Sequence, residues 1–182
     1  MSSSNSNSNS KLYYTYDEIH RAIDANANAL TGAGFDYIIA IGGGGLIPAR
    51  MLRRIVDVPI IVVTVKFYSD DRINDEPVIV QWDKTAVSQL KGQKCLIVDE
   101  LYDTGSTLKF VINKLNADGV TDLSALMIHH KKKDAGLSNM SYISTKLKHY
   151  FPLMIVDDRW IVYPWEAGDI AEHNRHAELR EK

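Results

Sequence analysis

The segment Leu96-Ile-Val-Asp-Glu-Leu-Tyr-Asp-Thr-Gly-Ser-Thr-Leu108 restricts the fold more than any other stretch of the chain. Residues 94–98, Lys-Cys-Leu-Ile-Val, make a short apolar run of the kind buried on both faces of a sheet. Residues 107–115 then place Leu108, Val111, Ile112 and Leu115 at the spacing of one helix face. A doubly buried strand that passes through a short loop into an amphipathic helix is a β-loop-α unit, and parallel sheets made from such units carry helices on both faces.

The same alternation recurs along the chain. Thr15-Tyr-Asp-Glu18 has the form of a capping box, and Ile19, Ile23, Ala27 and Leu30 line one face of a helix that Gly32 and Gly34 should stop. Residues 36–41 read as a buried strand, residues 47–55 as the helix after it, and the β-branched run at 59–66 as a second parallel strand. Residues 123–128 supply another strand. The expected architecture is α/β, a parallel sheet flanked by helices, and 182 residues with 45% apolar content suffice for one such domain over 12–182. The Ser/Asn-rich residues 1–11 have nothing to bury and are expected to be disordered, and the polar stretch 171–182 reads as a frayed helix without a role.

Charge and cysteine content exclude several classes of function. A net charge of −2, with Lys131-Lys132-Lys133 as the one dense basic run, gives no general attraction to nucleic acid. Cys95 is the sole cysteine, so no internal disulfide framework exists, and its apolar strand makes it a buried thiol. No apolar run approaches a membrane span and no signal-peptide pattern opens the chain, so a cytoplasmic protein without membrane association is expected.

The chemistry of residues 99–107 follows from their position at a strand's carboxyl end, where open α/β sheets bind ligands. Asp103-Thr104-Gly105-Ser106-Thr107 offers backbone N–H groups, three hydroxyls and a helix N-terminus, all suited to a phosphate dianion. Asp99 and Glu100 repel that phosphate and need another partner, either ribose hydroxyls or a hard cation such as magnesium. A polar strand end followed by a helix cap accounts for any one of these residues singly.

Ile97-Val98-Asp99-Glu100 followed by Asp103-Thr104-Gly105-Ser106-Thr107 resembles the signature of type I phosphoribosyltransferases, whose donor is 5-phosphoribosyl 1-pyrophosphate, PRPP. Ile41-Gly-Gly-Gly-Gly-Leu-Ile-Pro-Ala-Arg50 matches neither a dinucleotide fingerprint nor a Walker loop, and resembles the pyrophosphate loop of the same family, in its fungal hypoxanthine and xanthine-type branch. That resemblance gives Gly42, Gly43 and Gly44 a backbone role toward pyrophosphate, with Lys66 and Tyr68 as further contacts on a mobile catalytic loop running to about residue 83.

Asp158-Arg-Trp-Ile-Val-Tyr-Pro-Trp-Glu166 resembles the base-holding segment of 6-oxopurine enzymes, a small C-terminal hood. It implies Trp160 stacked on the purine, the Ile161 carbonyl toward its 2-position, and Glu166 beside Asp99 and Glu100 as a magnesium ligand, directly or through water. Trp165 is better explained as apolar cover. Lys131 is the candidate reader of the exocyclic oxygen, with Lys132 and Lys133 close enough to exchange places with it. His129 and His130 lack partners for a zinc site.

The resemblance thus implies magnesium-dependent purine salvage by a homodimer, with Arg50, Arg53 and Arg54 on a contact surface and Asp103 as general base toward the five-membered ring. The competing functions are a regulator that senses PRPP without transferring it, or a transferase for adenine or orotate.

Overall fold

The computed structural model describes residues 11–69 and 72–180, the side chains of 67–76 apart. The chain runs β1 (Leu12–Tyr13), α1 (Tyr16–Ala25), α2 (Ala27–Ala33), β2 (Tyr37–Ile41), α3 (Leu46–Val56), β3 (Ile60–Ser69), β4 (Arg72–Gln81) and α4 (Lys84–Ser88). It continues through β5 (Cys95–Tyr102), α5 (Ser106–Ala117), β6 (Leu123–Lys132), α6 (Asp134–Ser144), β7 (Tyr150–Asp157), β8 (Ile161–Val162), a 3-10 turn at Pro164–Glu166 and α7 (Ile170–Glu178). The Ser/Asn-rich tail falls, but for Lys11, outside the described residues.

Six strands form the central sheet in the order β4-β3-β2-β5-β6-β7, and β1 pairs with β8 in a small sheet of its own. All pairings are parallel except β3 with β4. Alternate residues of the central strands feed two cores, as the period of a strand requires. Ile39, Ile41 and Ile97 point toward α5, with Leu108, Val111, Ile112 and Leu115 packed among them. Ile38, Ala40, Leu96 and Val98 face the opposite way, onto Ile19 and Ile23 of α1, Leu30 of α2 and Leu52 of α3. Cys95 is buried within the first core, and burial pushes its thiol up to about 12.

Four expected strands are present, and four features differ from expectation. The segment expected to be an irregular loop is mostly strand: β3 continues to Ser69 and β4 returns antiparallel from Arg72, with register shifts between Thr64 and Val65 and between Lys66 and Tyr68. β7 was not among the expected strands; it is an edge strand, where the missing N–H of Pro152 is tolerated, and Pro77 of β4 sits on the other edge.

The first helix is two, because Asn26 ends α1 and its side chain turns back onto the Ala22 carbonyl. The C-terminal helix is docked rather than frayed. Asp169 caps it, the buried His173 donates from Nε2 to the Tyr14 carbonyl at 2.9 Å, and Arg180 bonds the Tyr13 carbonyl and the Glu18 carboxylate. The capping box at Thr15 and Glu18 forms as expected. No described helix is long and apolar enough to cross a membrane.

Because Leu96 is fully buried against three helices, Leu96→Ala is expected to lower unfolding free energy by about 2–5 kcal/mol, read from the urea midpoint, against about 1 kcal/mol for Thr15→Ala at the α1 cap.

Candidate active site

The order of the sheet decides where a ligand can sit. β2 has β3 on one side and β5 on the other, so the winding reverses between β2 and β5. A crevice opens beyond the carboxyl ends of parallel strands at such a point. The register pairs Ala40 with Val98, so the glycine loop after β2 and the acid pair at the end of β5 leave the sheet at the same level.

The acid pair and the glycine loop are built against each other. A Cβ at Gly44 would fall inside the Glu100 carboxylate, one at Gly42 would meet the Thr64 hydroxyl, and Gly43 takes φ 98° with open space around it. Glu100 donates its N–H to Asp99 Oδ1 at 2.9 Å and accepts at its own carbonyl from the Tyr163 hydroxyl, also at 2.9 Å. Glu100 Oε2 is buried without a hydrogen-bond partner among the described residues. Burial first, and then the Glu100 charge, hold the Asp99 carboxyl well above the usual carboxylate range.

An orphaned carboxylate oxygen beside an acid that resists ionisation marks a site short of positive charge, which suits a hard cation. No group of three or more potential ligands is assembled among the described residues, and Glu166 is exposed on its 3-10 turn. Magnesium fits such a site through one or two carboxylates, with substrate oxygens and water completing its shell.

The phosphate-type loop lies one turn further along. α5 starts at Gly105, with φ 78° and no side-chain cap, and α3 starts at Gly45 equally uncapped. α1, α4 and α7 are capped by Thr15, Asp83 and Asp169, while α2 and α6 also lack a side-chain cap. Of the uncapped N-termini, those of α3 and α5 follow the two strands that flank the crevice, where N–H groups and dipoles favour an anion. Gly105 is required sterically, since the Tyr102 ring occupies the place of a Cβ. The loop is braced: Asn139 donates to the Thr104 carbonyl at 2.9 Å, Tyr102 donates to the Gly136 carbonyl at 2.9 Å, and the Thr104 and Ser106 hydroxyls lie 3.1 Å apart.

Beyond it, Asp103 meets the end of β6. Lys133 Nζ lies 3.1 Å and Lys131 Nζ 3.5 Å from Asp103 Oδ1, and both also reach Asp158, at 3.4 and 3.5 Å. The Asp103 carboxylate holds Lys133 above the ordinary lysine range. Successive strand residues face opposite ways, so Lys131 and Lys133 share this side while Lys132 is exposed on the other. Trp160 is 69% exposed at the start of β8. β1 takes the carbonyls of Trp160 and Val162, so the Ile161 carbonyl between them turns away from that ladder. Trp165 stacks on Tyr163 with ring centroids 4.7 Å apart, the cover expected of it.

Lys66 is exposed on β3, and the Tyr68 side chain lies outside the described residues. Sequence patterns left Lys133 open beside Lys131, and assigned Asp158, Tyr102 and Tyr163 no role in the site. The alternation of β6 was a usable signal for Lys133; the others are brought in by tertiary pairing alone. His129 and His130 bond to Tyr163 at 3.0 Å and to Tyr150 at 2.7 Å.

Known proteins resemble this chain in sequence and in fold. A family model described as a phosphoribosyl transferase domain matches residues 14–157. The hypoxanthine-guanine phosphoribosyltransferase of Schizosaccharomyces pombe is 34% identical, over 91% of this chain and 94% of that one. Xanthine phosphoribosyltransferase 1 of Saccharomyces cerevisiae is 32% identical, over 94% and 97%. Among solved structures, a hypothetical protein of Neisseria gonorrhoeae with bound ppGpp is 38% identical at TM-score 0.76, over 93% of this chain and 96% of that one. A purine phosphoribosyltransferase of Pyrococcus horikoshii Ot3 is 32% identical at TM-score 0.66, over 87% and 96%.

Two outcomes follow from the acid pair. Gly44→Ala must displace the Glu100 carboxylate and is expected to lower the unfolding temperature, whereas Gly32→Ala, with open space at its Cβ, is expected not to. Asp99 binds its proton more tightly folded than unfolded, so its contribution to stability falls as pH rises from about 4 toward its raised folded value. Asp99→Asn keeps the acceptor for Glu100 and loses the charge. In magnesium-free urea titrations it is therefore expected to be more stable than the parent at neutral pH, an advantage that vanishes near pH 4.

Proposed function

The chain belongs to the phosphoribosyl transferase domain family, and on that premise we propose that it transfers the phosphoribosyl group of PRPP to a ring nitrogen of a 6-oxopurine, releasing pyrophosphate. The observation that carries this reading is the meeting, at one switch point, of the Asp99-Glu100 pair, the uncapped α5 N-terminus and the Asp103-Lys131 contact. The curated relatives named for hypoxanthine, guanine and xanthine support the choice of base.

In this reading the backbone N–H groups and hydroxyls of residues 104–107 hold the 5′-phosphate, and Asp99 and Glu100 hold the ribose hydroxyls. Gly42, Gly43 and Gly44, with Lys66 and Tyr68, receive the pyrophosphate. Asp99 and Glu100, with Glu166 directly or through water, would hold magnesium, which would supply charge neutralisation at the departing oxygens. Trp160 lies over the purine face, the Ile161 carbonyl meets the 2-position, and Lys131 donates to the 6-oxygen.

Carbon–oxygen cleavage precedes attack, so positive charge develops on the ribose ring beside the acids. Asp103 accepts the ring proton as the new bond forms. For it to do so, its contacts with Lys131 and Lys133 must loosen when the base enters, and Asp158 is placed to keep both ammonium groups paired.

The competing reading is a sensor that binds PRPP without transfer. The Neisseria neighbour holds ppGpp, a guanosine bearing pyrophosphate groups, which shows guanine and phosphates accommodated together in that protein. Pyrophosphate release decides between them: with magnesium, PRPP and hypoxanthine, guanine or xanthine an enzyme releases it, while a sensor releases none with any base.

A cytoplasmic homodimer completes the proposal. Arg53 and Arg54 pair with Asp57 and Asp24 of the same chain, so the dimer rests on the family resemblance rather than on those arginines. Sedimentation showing only monomer removes it.

Asp103→Asn is expected to preserve folding and PRPP binding while cutting kcat by about 10²–10⁴-fold, the range of general-base assistance. Unchanged turnover in steady-state assays with all three purines defeats the assignment.

A further inference from the structure

The purine-side segment and the donor-side acids are joined by a buried chain of neutral groups to which the proposed reaction gives no part. His129 of β6 is fully buried, 4.1 Å from the Tyr14 ring, and its Nδ1 lies 3.0 Å from the Tyr163 hydroxyl. The same hydroxyl lies 2.9 Å from the Glu100 carbonyl, which can only accept. A phenol has one proton, so Tyr163 gives it to Glu100, and the Nδ1–H of His129 must be the donor to Tyr163. Burial, with Arg180 nearby, lowers His129 to about 3, so the ring is neutral and carries that single proton.

Three contacts then hold residue 100. Its N–H is held by Asp99, its carbonyl by Tyr163, and its carboxylate lies against the backbone of Gly44. Only the second reaches out of the β2-β5 crevice, to the segment that carries Trp160 and Ile161.

We infer that Tyr163, oriented by the Nδ1–H of His129, is a positioning residue that fixes the Asp99-Glu100 pair for the magnesium-bound donor and ties its geometry to the purine segment. The inference rests on the proposed transferase reading for its ligand, but Tyr163 touches neither reacting atom. Its surroundings support the role: Tyr163 directly follows β8, which β1 holds in place, and its buried ring is stacked on Trp165, so packing fixes the hydroxyl as an anchor. Stacking of the phenol ring on Trp165 survives loss of the hydroxyl, so Tyr163→Phe removes the bond and keeps the packing.

The test is calorimetric titration of PRPP into the magnesium-loaded full chain, with steady-state assays beside it. Tyr163→Phe is expected to weaken magnesium-dependent PRPP binding about tenfold, the scale of one neutral hydrogen bond, while the KM for the purine stays within about twofold. A structural role alone lowers the unfolding temperature and leaves PRPP affinity unchanged, and that result overturns the inference. If Tyr163→Phe does not fold, the His129 variants decide: His129→Leu should weaken PRPP binding and His129→Asn, whose amide can donate in place of Nδ1–H, should restore it. Equal affinity in both His129 variants and the parent overturns it. A parent that binds PRPP but releases no pyrophosphate with any purine defeats the transferase reading and leaves this binding test intact.

Discussion

The contact on which the site depends is the carboxylate of Glu100 lying against the backbone of Gly44. It requires β2 and β5 to be neighbours, to run parallel, and to end in register, which the pairing of Ala40 with Val98 provides. It also requires that no side chain stand between them. Four consecutive glycines after β2 are therefore more than a flexible turn: Gly42 and Gly44 are sterically excluded from bearing a Cβ, while Gly43 is needed for its left-handed φ. Once this contact is made, the α3 and α5 N-termini are brought to the same crevice, and the anion-binding and acidic halves of the site become adjacent.

Charge divides that crevice into two regions with opposite requirements. Asp99 and Glu100 have no cation among the described contacts, and their mutual repulsion under burial is the state that the magnesium-bound sugar donor of the proposed reading would relieve. Asp103 and Asp158 are instead balanced by Lys131 and Lys133. In the proposed reading an uncharged purine would enter the balanced region with little electrostatic cost, and a phosphorylated donor would enter the acidic one together with its cation. The separation lets three aspartates and a glutamate within one site serve different partners.

Much of this was legible from local pattern. The apolar runs at 36–41, 59–66, 94–98 and 123–128 became β2, β3, β5 and β6, and the motif at 99–107 named the acids, the hydroxyls and the glycine of the phosphate-type loop. Edge strands were not legible, since β4 and β7 each contain a proline and their described side chains are mostly half-buried or exposed, so neither doubly buried runs nor unbroken alternation mark them. The choice among Lys131, Lys132 and Lys133 needed only the knowledge that β6 extends to Lys132, because the period of two then removes Lys132. Asp158 and Tyr163 could not be found locally: they act through partners 27 and 63 residues away in sequence, Lys131 and Glu100.

The C-terminal segment illustrates why polar composition misleads. Residues 170–180 show no apolar face broad enough to demand burial, yet Arg180 lies over the Tyr14 ring at 4.2 Å and His173 bonds the Tyr14 carbonyl. The core they cover is itself polar, made of Tyr14, His129 and Tyr163. A hydrocarbon core would have been simpler to pack, but it could not reach the Glu100 carbonyl with a hydrogen-bond donor. A charged group bonded to that carbonyl would add to or cancel the field of the acid pair on which the proposed donor binding rests. Neutral phenols and a histidine kept uncharged by burial satisfy both conditions, so the polar core under the hood follows from the electrostatics of the acids it supports.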